Sequence, residues 1–454
     1  MKWKLLVIAV SGLCTAPAGM AAEGVPGDID ALKRQIDELT RKVQALEESR
    51  RSETNVTAVP GTAPRIELGT GGFKATSADS NFVFQLRGLV QVDNRTFFRD
   101  GGIQGNDTFL LRRARPIFQG TLFGNVDFMF VPDFGGSSVQ IYDAYLNYRL
   151  QPWLQLRAGK FKTPVGLEYL QSDPVTAFSE RALPTALVPG RDVGFQLWGN
   201  VESLRLQYAL GVFNGVGDGR NGSSADFEDH REIAGRVFFE PFRKRGPSWL
   251  SGLGFGVGGS WGTVSSNSAG LPSGYATDGQ QAFFTYTNGV VADGDHWRLA
   301  PQAYYYCGPA SLLAEYTISD QAVRRGTASR NVRHTAWQVS AGWVLTGEDA
   351  SFSGVTPKRP FDPASGQWGA VQLVGRYAEL DIDNDVFPLF ANPSASASAA
   401  QAWAVGLNWY WNRNIRWNAS FARTTFTGGG RGNGPGAVTR QPEEVLFTRL
   451  QLSF

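Results

Sequence analysis

Apolar and polar positions alternate over most of the chain after Asn81. Turn-forming residues divide this alternation into about sixteen segments of roughly 9 to 15 residues, which is the periodic pattern of a membrane β-barrel. Because successive side chains of a strand point to opposite faces, each segment would have one apolar and one polar face. The predicted strands begin near residues 82, 108, 125, 139, 153, 191, 203, 230, 252, 295, 309, 331, 368, 399, 414 and 443.

The segment Trp403-Ala-Val-Gly-Leu-Asn-Trp-Tyr-Trp411 shows the alternation clearly. Positions 403, 405, 407, 409 and 411 are large and apolar, whereas 404, 406 and 408 are Ala, Gly and Asn. A soluble β-propeller would need a repeat of about 40 to 50 residues, and we see none. We therefore predict an all-β fold, a 16-stranded antiparallel transmembrane β-barrel formed by residues 81–454.

Short turns are predicted after the even-numbered strands and long connections after the odd-numbered ones. With a periplasmic N-terminus, the short turns lie at the periplasmic rim, and the long connections 162–190, 264–294 and 381–398 face outward. The connection 346–367 follows an even-numbered strand, where a short periplasmic turn is expected, yet it is long, and the pattern does not explain its length. The short turns are Phe123-Gly-Asn-Val126, Gln151-Pro152, Gly199-Asn-Val-Glu202, Cys307-Gly-Pro-Ala310 and Trp411-Asn-Arg-Asn414.

The start of the chain has the layout of a cleaved export signal. Lys2 and Lys4 precede an apolar stretch, and small residues follow up to Ala22. A lipoprotein site at Cys14 is disfavoured because Leu13 occupies a position where a small residue is expected. Residues 1–22 are therefore predicted to be a signal peptide, which is consistent with an outer-membrane location in a Gram-negative cell.

Two further segments precede the predicted barrel. Residues 28–51 are predicted to form a short periplasmic coiled coil, whose Ile/Val and Leu positions favour a dimer in soluble models. A single amphipathic helix lying on the protein or the cell wall is the alternative. Residues 52–80 contain prolines and glycines without periodicity and are predicted to be a flexible linker. The heptad positions of the coiled coil are Ile29, Leu32, Ile36, Leu39, Val43 and Leu46.

Composition narrows the possible chemistry. With 54 glycines, 30 phenylalanines and 13 tryptophans, the chain is too aromatic for disorder and too glycine-rich for a helical fold. Cys307 is the one thiol after residue 22, and His230, His296 and His334 are not at metal-ligand spacing. No metal, cofactor or nucleic-acid partner is predicted, and without a GxxxxGK[ST], GxSxG or HExxH motif no enzyme is predicted.

The formal net charge is +2, and the predicted signal peptide carries both units. An ion preference would therefore depend on where the charges lie. If the apolar positions face lipid, the opposite parity places a column of guanidinium groups in the lumen, and a guanidinium can hold an oxyanion with two hydrogen bonds. The alternative is that these arginines pair with Asp93, Asp143, Glu232 and Glu315. The polar side chains that parity places inside are Gln85, Arg87, Gln91, Arg95, Arg113, Arg115, Gln155 and Arg157.

Two local features add to the barrel pattern. The connection from Lys162 to Gly190 is long enough to fold back into the barrel and narrow it, with Lys160 and Lys162 at the narrow point. The last strand ends on Phe454 after an alternating Leu450 and Leu452, and such a terminal aromatic resembles the signal that the bacterial barrel-assembly machinery recognises.

Several motifs in sequence order resemble the phosphate-selective porins O and P, and the resemblance covers roughly residues 70 to 454. The terminal Phe454 belongs to the same pattern. The motifs are Leu111-Arg-Arg-Ala-Arg115, Gly159-Lys-Phe-Lys162 with Gly166-Leu-Glu168, Glu180-Arg-Ala-Leu-Pro184, Leu187-Val-Pro-Gly-Arg-Asp192 and Thr346-Gly-Glu348.

The resemblance implies a homotrimer of 16-stranded channels, surrounded by outer-membrane lipid and lipopolysaccharide, that passes phosphate, polyphosphate or similar small anions by diffusion. It assigns Arg113 and Arg115 to an arginine ladder and Lys160 and Lys162 to the approach to the constriction. The alternation of lipid-facing and lumen-facing positions on their strands adds Arg87 and Arg157 to this predicted anion pathway. One departure concerns the third loop, which between residues 166 and 190 carries three acids and one arginine, whereas a phosphate clasp should be rich in basic residues. These four are Glu168, Asp173, Glu180 and Arg181.

Three other functions remain open at this point. A general, carbohydrate or carboxylate porin would use tryptophan and tyrosine near the constriction as a stacking surface. A barrel enzyme would need a Ser/His or Asp/His arrangement at the rim, and only His296 and His334 lie on predicted strands. A structural role would use the coiled coil as a tether between the outer membrane and the cell wall.

Overall fold

The computed structural model describes residues 37, 38, 40–43, 63–98, 105–136, 138–223, 226, 228–430 and 438–454. These form two units divided between Ala63 and Pro64. In the first unit, residues 37, 38 and 40–43 are helical, with an ion pair of 2.8 Å between Lys42 Nζ and Glu38 Oε1. The predicted signal peptide, most of the predicted coiled coil and residues 52–62 lie outside the described residues. No helix in the described parts of the chain is long and apolar enough to cross a membrane.

The second unit is a closed antiparallel barrel of sixteen strands, in which β16 pairs with β1. The predicted fold is confirmed, and each predicted strand start lies within four residues of the observed one. The strands are β1 Val83–Phe97, β2 Thr108–Leu122, β3 Val126–Asp133, β4 Gln140–Gln151, β5 Leu154–Lys162, β6 Arg191–Val201, β7 Leu206–Phe213, β8 Glu232–Phe239, β9 Leu253–Asn267, β10 Val291–Cys307, β11 Ala310–Arg325, β12 Ala328–Val344, β13 Ala370–Asp381, β14 Ala397–Tyr410, β15 Ile415–Gly428 and β16 Glu443–Ser453.

Side-chain exposure follows the predicted alternation. On β14, Trp403 and Val405 are 40% and 52% exposed on the outer wall, whereas Ala402 and Ala404 are 3% and 2% exposed. The outer face is apolar and the inner face carries most of the polar side chains, as expected for strands that cross lipid around an aqueous interior.

The connections differ at the two ends of the barrel, which we name the short-turn end and the long-loop end. At the short-turn end, β10 and β11 are joined by Gly308 and Pro309 alone. Gly308 has φ +53°, a conformation that glycine adopts without strain and that suits the first position of a tight hairpin turn. The other four predicted short turns also lie where consecutive barrel strands meet, although some of their residues, among them Gln151 and Gly199, still belong to the strands.

An N-terminal hairpin lies beside the barrel at the short-turn end. Arg65–Gly69 pairs with Gly72–Thr76, which in turn pairs with the first residues of β1. The prediction of a flexible linker is therefore wrong for this part of residues 52–80. Residues 83–86 of β1 precede the pairing with β16, and on that edge they pair with this hairpin instead, which the glycine-rich sequence did not reveal.

The large connections at the long-loop end turn into the barrel. Residues 163–190, which we name the inward loop, contain the helical turn Leu167–Leu170 and the 3-10 segments Asp173–Val175 and Leu183–Leu187. Residues 268–290 contribute the 3-10 segment Ser268–Gly270 and the short strands Tyr275–Ala276 and Ala282–Phe284, and residues 382–396 contribute the 3-10 segment Asn384–Val386. Their apolar side chains form the largest buried cluster, so the hydrophobic core lies inside one end of the barrel. Its members include Leu183, Leu187, Leu271, Tyr275, Phe284, Val386 and Phe390.

The unexplained long connection also turns inward, from the short-turn end. Residues 345–369, which we name the support loop, contain the paired segments Phe361–Asp362 and Gln367–Trp368 with the 3-10 segment Pro363–Ser365 between them. Phe352 stacks on Tyr304 of β10 with ring centroids 5.3 Å apart, and its carbonyl oxygen accepts a hydrogen bond of 2.9 Å from Gln171 of the inward loop. The length of this connection is thus explained by its contact with the inward loop. A further 3-10 segment, Ser248–Leu250, precedes β9.

Candidate functional site

Asp173 ties the inward loop to the inner wall of the barrel. Its carboxylate lies 3.5 Å from Arg113 Nε and 2.6 Å from Arg181 Nη1, and it also accepts a hydrogen bond from Arg115. Burial disfavours the charged carboxylate, but Arg113, Arg181 and Arg115 outweigh burial and hold the pKa of Asp173 well below its ordinary value. Asp173 is therefore a permanent negative charge shared by two wall arginines and one loop arginine.

Glu180 makes a second tie between the inward loop and the wall. Arg112 donates two hydrogen bonds to its carboxylate, at 2.7 and 3.0 Å, and Arg95 and Arg449 lie 3.0 and 3.5 Å from it. Although burial opposes ionisation, these arginines lower the pKa of Glu180 below its ordinary range. Because the carboxylate is buried among three guanidinium groups, it fixes the loop in place.

A β-bulge brings Arg112 into this site. Gln91 of β1 lies opposite Arg113, but the next residue, Val92, lies opposite Leu111, so Arg112 is the extra residue. A bulge changes the direction of the side chain that it inserts. Strict alternation would have put Arg112 on the lipid face, which is why parity missed it.

Glu168 links the inward loop to a second long connection. Its carboxylate accepts a hydrogen bond of 2.8 Å from the Ala182 amide and lies 3.6 Å from Arg376 Nη1 of β13. Arg376 also pairs at 2.6 Å with Asp278 of the connection 268–290. The three acids that set the inward loop apart from a basic clasp are thus held by arginines or by the main chain.

The alternative prediction, in which lumen arginines pair with four acids of the barrel wall, holds in part. Asp93 binds Arg449 with two hydrogen bonds of 2.6 and 2.7 Å, Asp143 pairs with Arg191 at 3.1 Å, and Glu232 pairs with Arg298 at 2.8 Å. Glu315 instead accepts hydrogen bonds from the Leu167 amide and from Gln338. Three of the four acids are therefore paired with arginines, but none of these arginines belongs to the predicted anion pathway.

A cavity of about 430 Å³, which we name the short-turn cavity, lies on the short-turn side of the inward loop. Asn200, Gln207 and Ser453, at strand ends near the short turns, belong to its lining. Four of the six predicted site residues line it, together with two cations that were not predicted and two carboxylates. The cations are Arg87, Arg115, Arg157, Lys162, Arg191 and Arg236, and the carboxylates are Asp143 and Asp173.

The cationic side chains that line this cavity outnumber the carboxylates. Arg115 pairs with Asp133 and Asp173, and Arg191 pairs with Asp143. The other four cations have no carboxylate within ion-pair distance among the residues that the structure describes. Arg157 lies against Tyr145, Phe161 and Trp198 at 4.5, 5.3 and 4.7 Å from the ring centroids. Arg236 donates to Gln302, and Lys162 donates to the carbonyl oxygens of Tyr169 and Gln171.

A second cavity, of about 350 Å³, which we name the long-loop cavity, lies on the long-loop side of the inward loop. Arg113, Arg112, Arg181 and Arg220 line it, and Asp173 and Arg191 line both cavities. Lys160 lines neither cavity and donates a hydrogen bond of 2.5 Å to the Gly222 carbonyl oxygen. The two cationic spaces thus share a boundary at Asp173 and Arg191.

The predicted anion pathway lacked five arginines of these cavities, which are Arg112, Arg181, Arg191, Arg220 and Arg236. Arg236 follows the alternation of β8, since its neighbours Ile233 and Val237 are exposed on the outer face, so parity could have found it. Arg191 lies within a motif that the resemblance already included. Arg112 could not be found by alternation because of the bulge.

One Ser/His/Asp group on the inner wall resembles a hydrolytic triad in composition only. His296 Nε2 lies 3.1 Å from Ser319 Oγ and 3.3 Å from Asp218 Oδ1. A catalytic triad needs one ring nitrogen facing the serine and the other facing the carboxylate. Here a single nitrogen faces both groups, so the arrangement does not support the barrel-enzyme hypothesis.

Comparison with known proteins agrees with this geometry. Porin O of Pseudomonas aeruginosa is 23% identical over 403 residues, which cover 82% of this chain and 90% of that protein. Two solved structures share the fold at 12% identity and cover 82% of this chain. These are an anion-selective porin from Comamonas acidovorans, with a TM-score of 0.52 over 100% of its chain, and the trimer form of in-vitro folded OmpT, an outer membrane protein of Vibrio cholerae, with a TM-score of 0.50 over 99%.

The model of the family named phosphate-selective porin O and P matches residues 84–454, which is the whole barrel from the start of β1 to the last residue. The resemblance found in the sequence motifs is thereby confirmed, and the barrel fold together with the family indicates the outer membrane. The chain belongs to the phosphate-selective porin O and P family of outer-membrane channels.

Proposed function

We propose that the barrel is a passive, anion-selective channel for phosphate, polyphosphate or similar small anions. The observation that carries the proposal is the excess of cations in the short-turn cavity. Arg87, Arg157, Arg236 and Lys162 line it without a carboxylate partner among the described residues, whereas Asp143 and Asp173 are both paired with other arginines. A lumen with fixed positive charge attracts anions and repels cations.

The arrangement supports movement between several weak sites. An anion entering from the long-loop cavity meets Arg112, Arg113 and Arg181, which already share Asp173 and Glu180. It would then pass Arg191 and reach the unpaired cations of the short-turn cavity. Because the first arginines are partly neutralised, they would release an anion easily, and conduction requires sites that bind weakly enough to let the ion leave.

Assembly as a homotrimer is part of the proposal, supported by the trimer form of the Vibrio cholerae fold neighbour. Outer-membrane lipid and lipopolysaccharide would surround the apolar outer face. Recognition of Phe454 by the barrel-assembly machinery is also proposed. It is supported by the position of Phe454 at the end of the closing strand β16, where its amide and carbonyl groups pair with Gly88 at 3.0 and 2.9 Å.

The test is reversal potential and chloride conductance in planar bilayers, with and without added phosphate. Wild type should pass anions in preference to cations, and phosphate should block the chloride current. The double variant Arg87→Gln/Arg157→Gln should need about tenfold more phosphate for the same block, since a hydrogen bond to a charged group contributes about 1.5 kcal/mol or more. These two arginines are better probes than Arg113 and Arg115, whose removal would also release Asp173.

Lys244→Gln is the matched control, because Lys244 is an exposed cation at the short-turn end that pairs with Glu202 at 2.6 Å. It should leave the selectivity and the phosphate block unchanged. Cation selectivity or no selectivity in the wild type would refute the proposal, and so would a double variant that behaves like Lys244→Gln.

A further inference from the structure

The short-turn cavity has an apolar strip on its inner wall. Leu89 of β1, Ile117 of β2 and Met129 and Val131 of β3 all line it. On their strands they point to the lumen, as do the polar residues Gln91, Arg115 and Asp133 two positions along. Lumen positions of membrane barrels are ordinarily polar, so an apolar strip beside four unpaired cations is unexpected.

The aromatic side of the cavity belongs to the strands that follow. Tyr145 of β4, Phe161 of β5 and Trp198 of β6 surround the guanidinium of Arg157. The buried Nε of Arg157 has no hydrogen-bond partner among the residues that the structure describes. The rings therefore hold the guanidinium in place while leaving donor capacity unused, and Arg157 lines the cavity, so an anionic group in the cavity can bind it.

Hydrated inorganic phosphate gains nothing from this apolar strip. An organic anion gains from both features, because its carboxylate binds the cations while its hydrocarbon part removes apolar wall from water. The cavity of about 430 Å³ lies within the size range of small-molecule sites, which typically combine apolar walls with a few polar groups that fix orientation.

We propose that the short-turn cavity is a binding site for small organic anions that carry an aromatic ring, such as arene carboxylates. The ring would lie between Trp198 on one side and Met129 and Ile117 on the other, and the carboxylate would face Arg157 and Arg87. This inference rests on the proposed anion channel and assigns a substrate class to one of its sites.

The experiment compares benzoate with acetate as blockers of chloride current through the full-length protein. Both carry one carboxylate, and they differ in that benzoate has a phenyl ring where acetate has a methyl group. Benzoate should give half-block at a concentration at least about tenfold lower than acetate, given the apolar area of a buried ring. Met129→Gln, which is nearly equal in size, and Trp198→Leu should each reduce this ratio to about threefold or less. Phosphate block should stay within about twofold of wild type in Met129→Gln, since the cations and the rings that hold Arg157 remain.

Trp343→Leu is the control, because Trp343 is 55% exposed on the outer wall. It should keep the wild-type ratio, and heat-dependent migration in gels should show that each variant is folded. An anion-selective wild type that benzoate and acetate block equally would overturn this inference and leave the proposed function standing. A wild type without anion selectivity would overturn both.

Discussion

Arg115 and Arg157 are the same residue type on the same inner wall, yet their surroundings give them different roles. Arg115 is held by Asp133 and Asp173, whereas Arg157 rests on three aromatic rings without a carboxylate partner among the described residues. A paired guanidinium fixes the structure, and an unpaired one can attract a mobile anion. At the scale of single residues, the partner decides the role of each arginine.

Glu180→Gln tests how much a loop anchor stabilises the barrel. Arg95, Arg112 and Arg449 would lose their shared carboxylate, so the free energy of unfolding should fall by about 3 kcal/mol. Urea titration followed by tryptophan fluorescence measures this change. Glu202→Gln is the control, because Glu202 and its partner Lys244 are both exposed and exposed ion pairs contribute little to stability. Equal effects of the two substitutions would contradict the anchoring role.

The pH dependence follows from the lowered pKa values of Asp173 and Glu180. A carboxyl whose pKa is depressed in the folded protein contributes stability above its unfolded pKa of about 4, and this contribution is lost as pH falls through the folded value. The difference in free energy of unfolding between wild type and Glu180→Gln should therefore stay constant from pH 7 down to about pH 4 and shrink only at lower pH. A difference that already shrinks near pH 5 would show that Glu180 titrates normally.

At the scale of elements, two connections from opposite ends of the barrel meet in the lumen. The inward loop is tied to the wall by ion pairs, and the support loop contacts it through Gln171 and through Val175, which lies beside Gly354. Neither segment has the alternation of a strand, so the sequence showed their length but not their partners.

Phe352→Ala tests the support loop. Loss of the ring removes the stacking on Tyr304 and loosens the inward loop from the short-turn side, so single-channel conductance should rise. Trp368→Ala is the control on the same loop, because Trp368 is 67% exposed. If the two variants conduct alike, the support loop does not position the inward loop.

At the scale of the whole molecule, stability depends on lipid outside and water inside. Val405 is 52% exposed on the outer wall, so Val405→Arg would place a charge in lipid. Near the bilayer midplane such a substitution costs about 2 to 4 kcal/mol. Urea unfolding from liposomes should show this loss, whereas Gln207→Arg, at a lumen position that lines the short-turn cavity, should be nearly neutral. If the two substitutions lowered the free energy of unfolding equally, the assignment of lipid-facing and lumen-facing positions would be wrong.

The sequence by itself determined the number of strands, their approximate starts, the face that meets lipid and the placement of Arg87, Arg115 and Arg157 in the lumen. These properties follow from a period of two that each strand repeats locally. The N-terminal hairpin was missed because its two short glycine-flanked strands carry too few residues to show that period.

Only the tertiary structure decided which carboxylate meets which arginine. Glu180 reaches Arg112, 68 positions away, and Arg449, much further along the chain, and no local pattern encodes such pairs. The bulge at Arg112 and the contact between the inward and support loops likewise depend on segments brought together by barrel closure. Pairing separates arginines that fix the fold from those left free for anions, so the charge available in the pore is a property of the closed barrel.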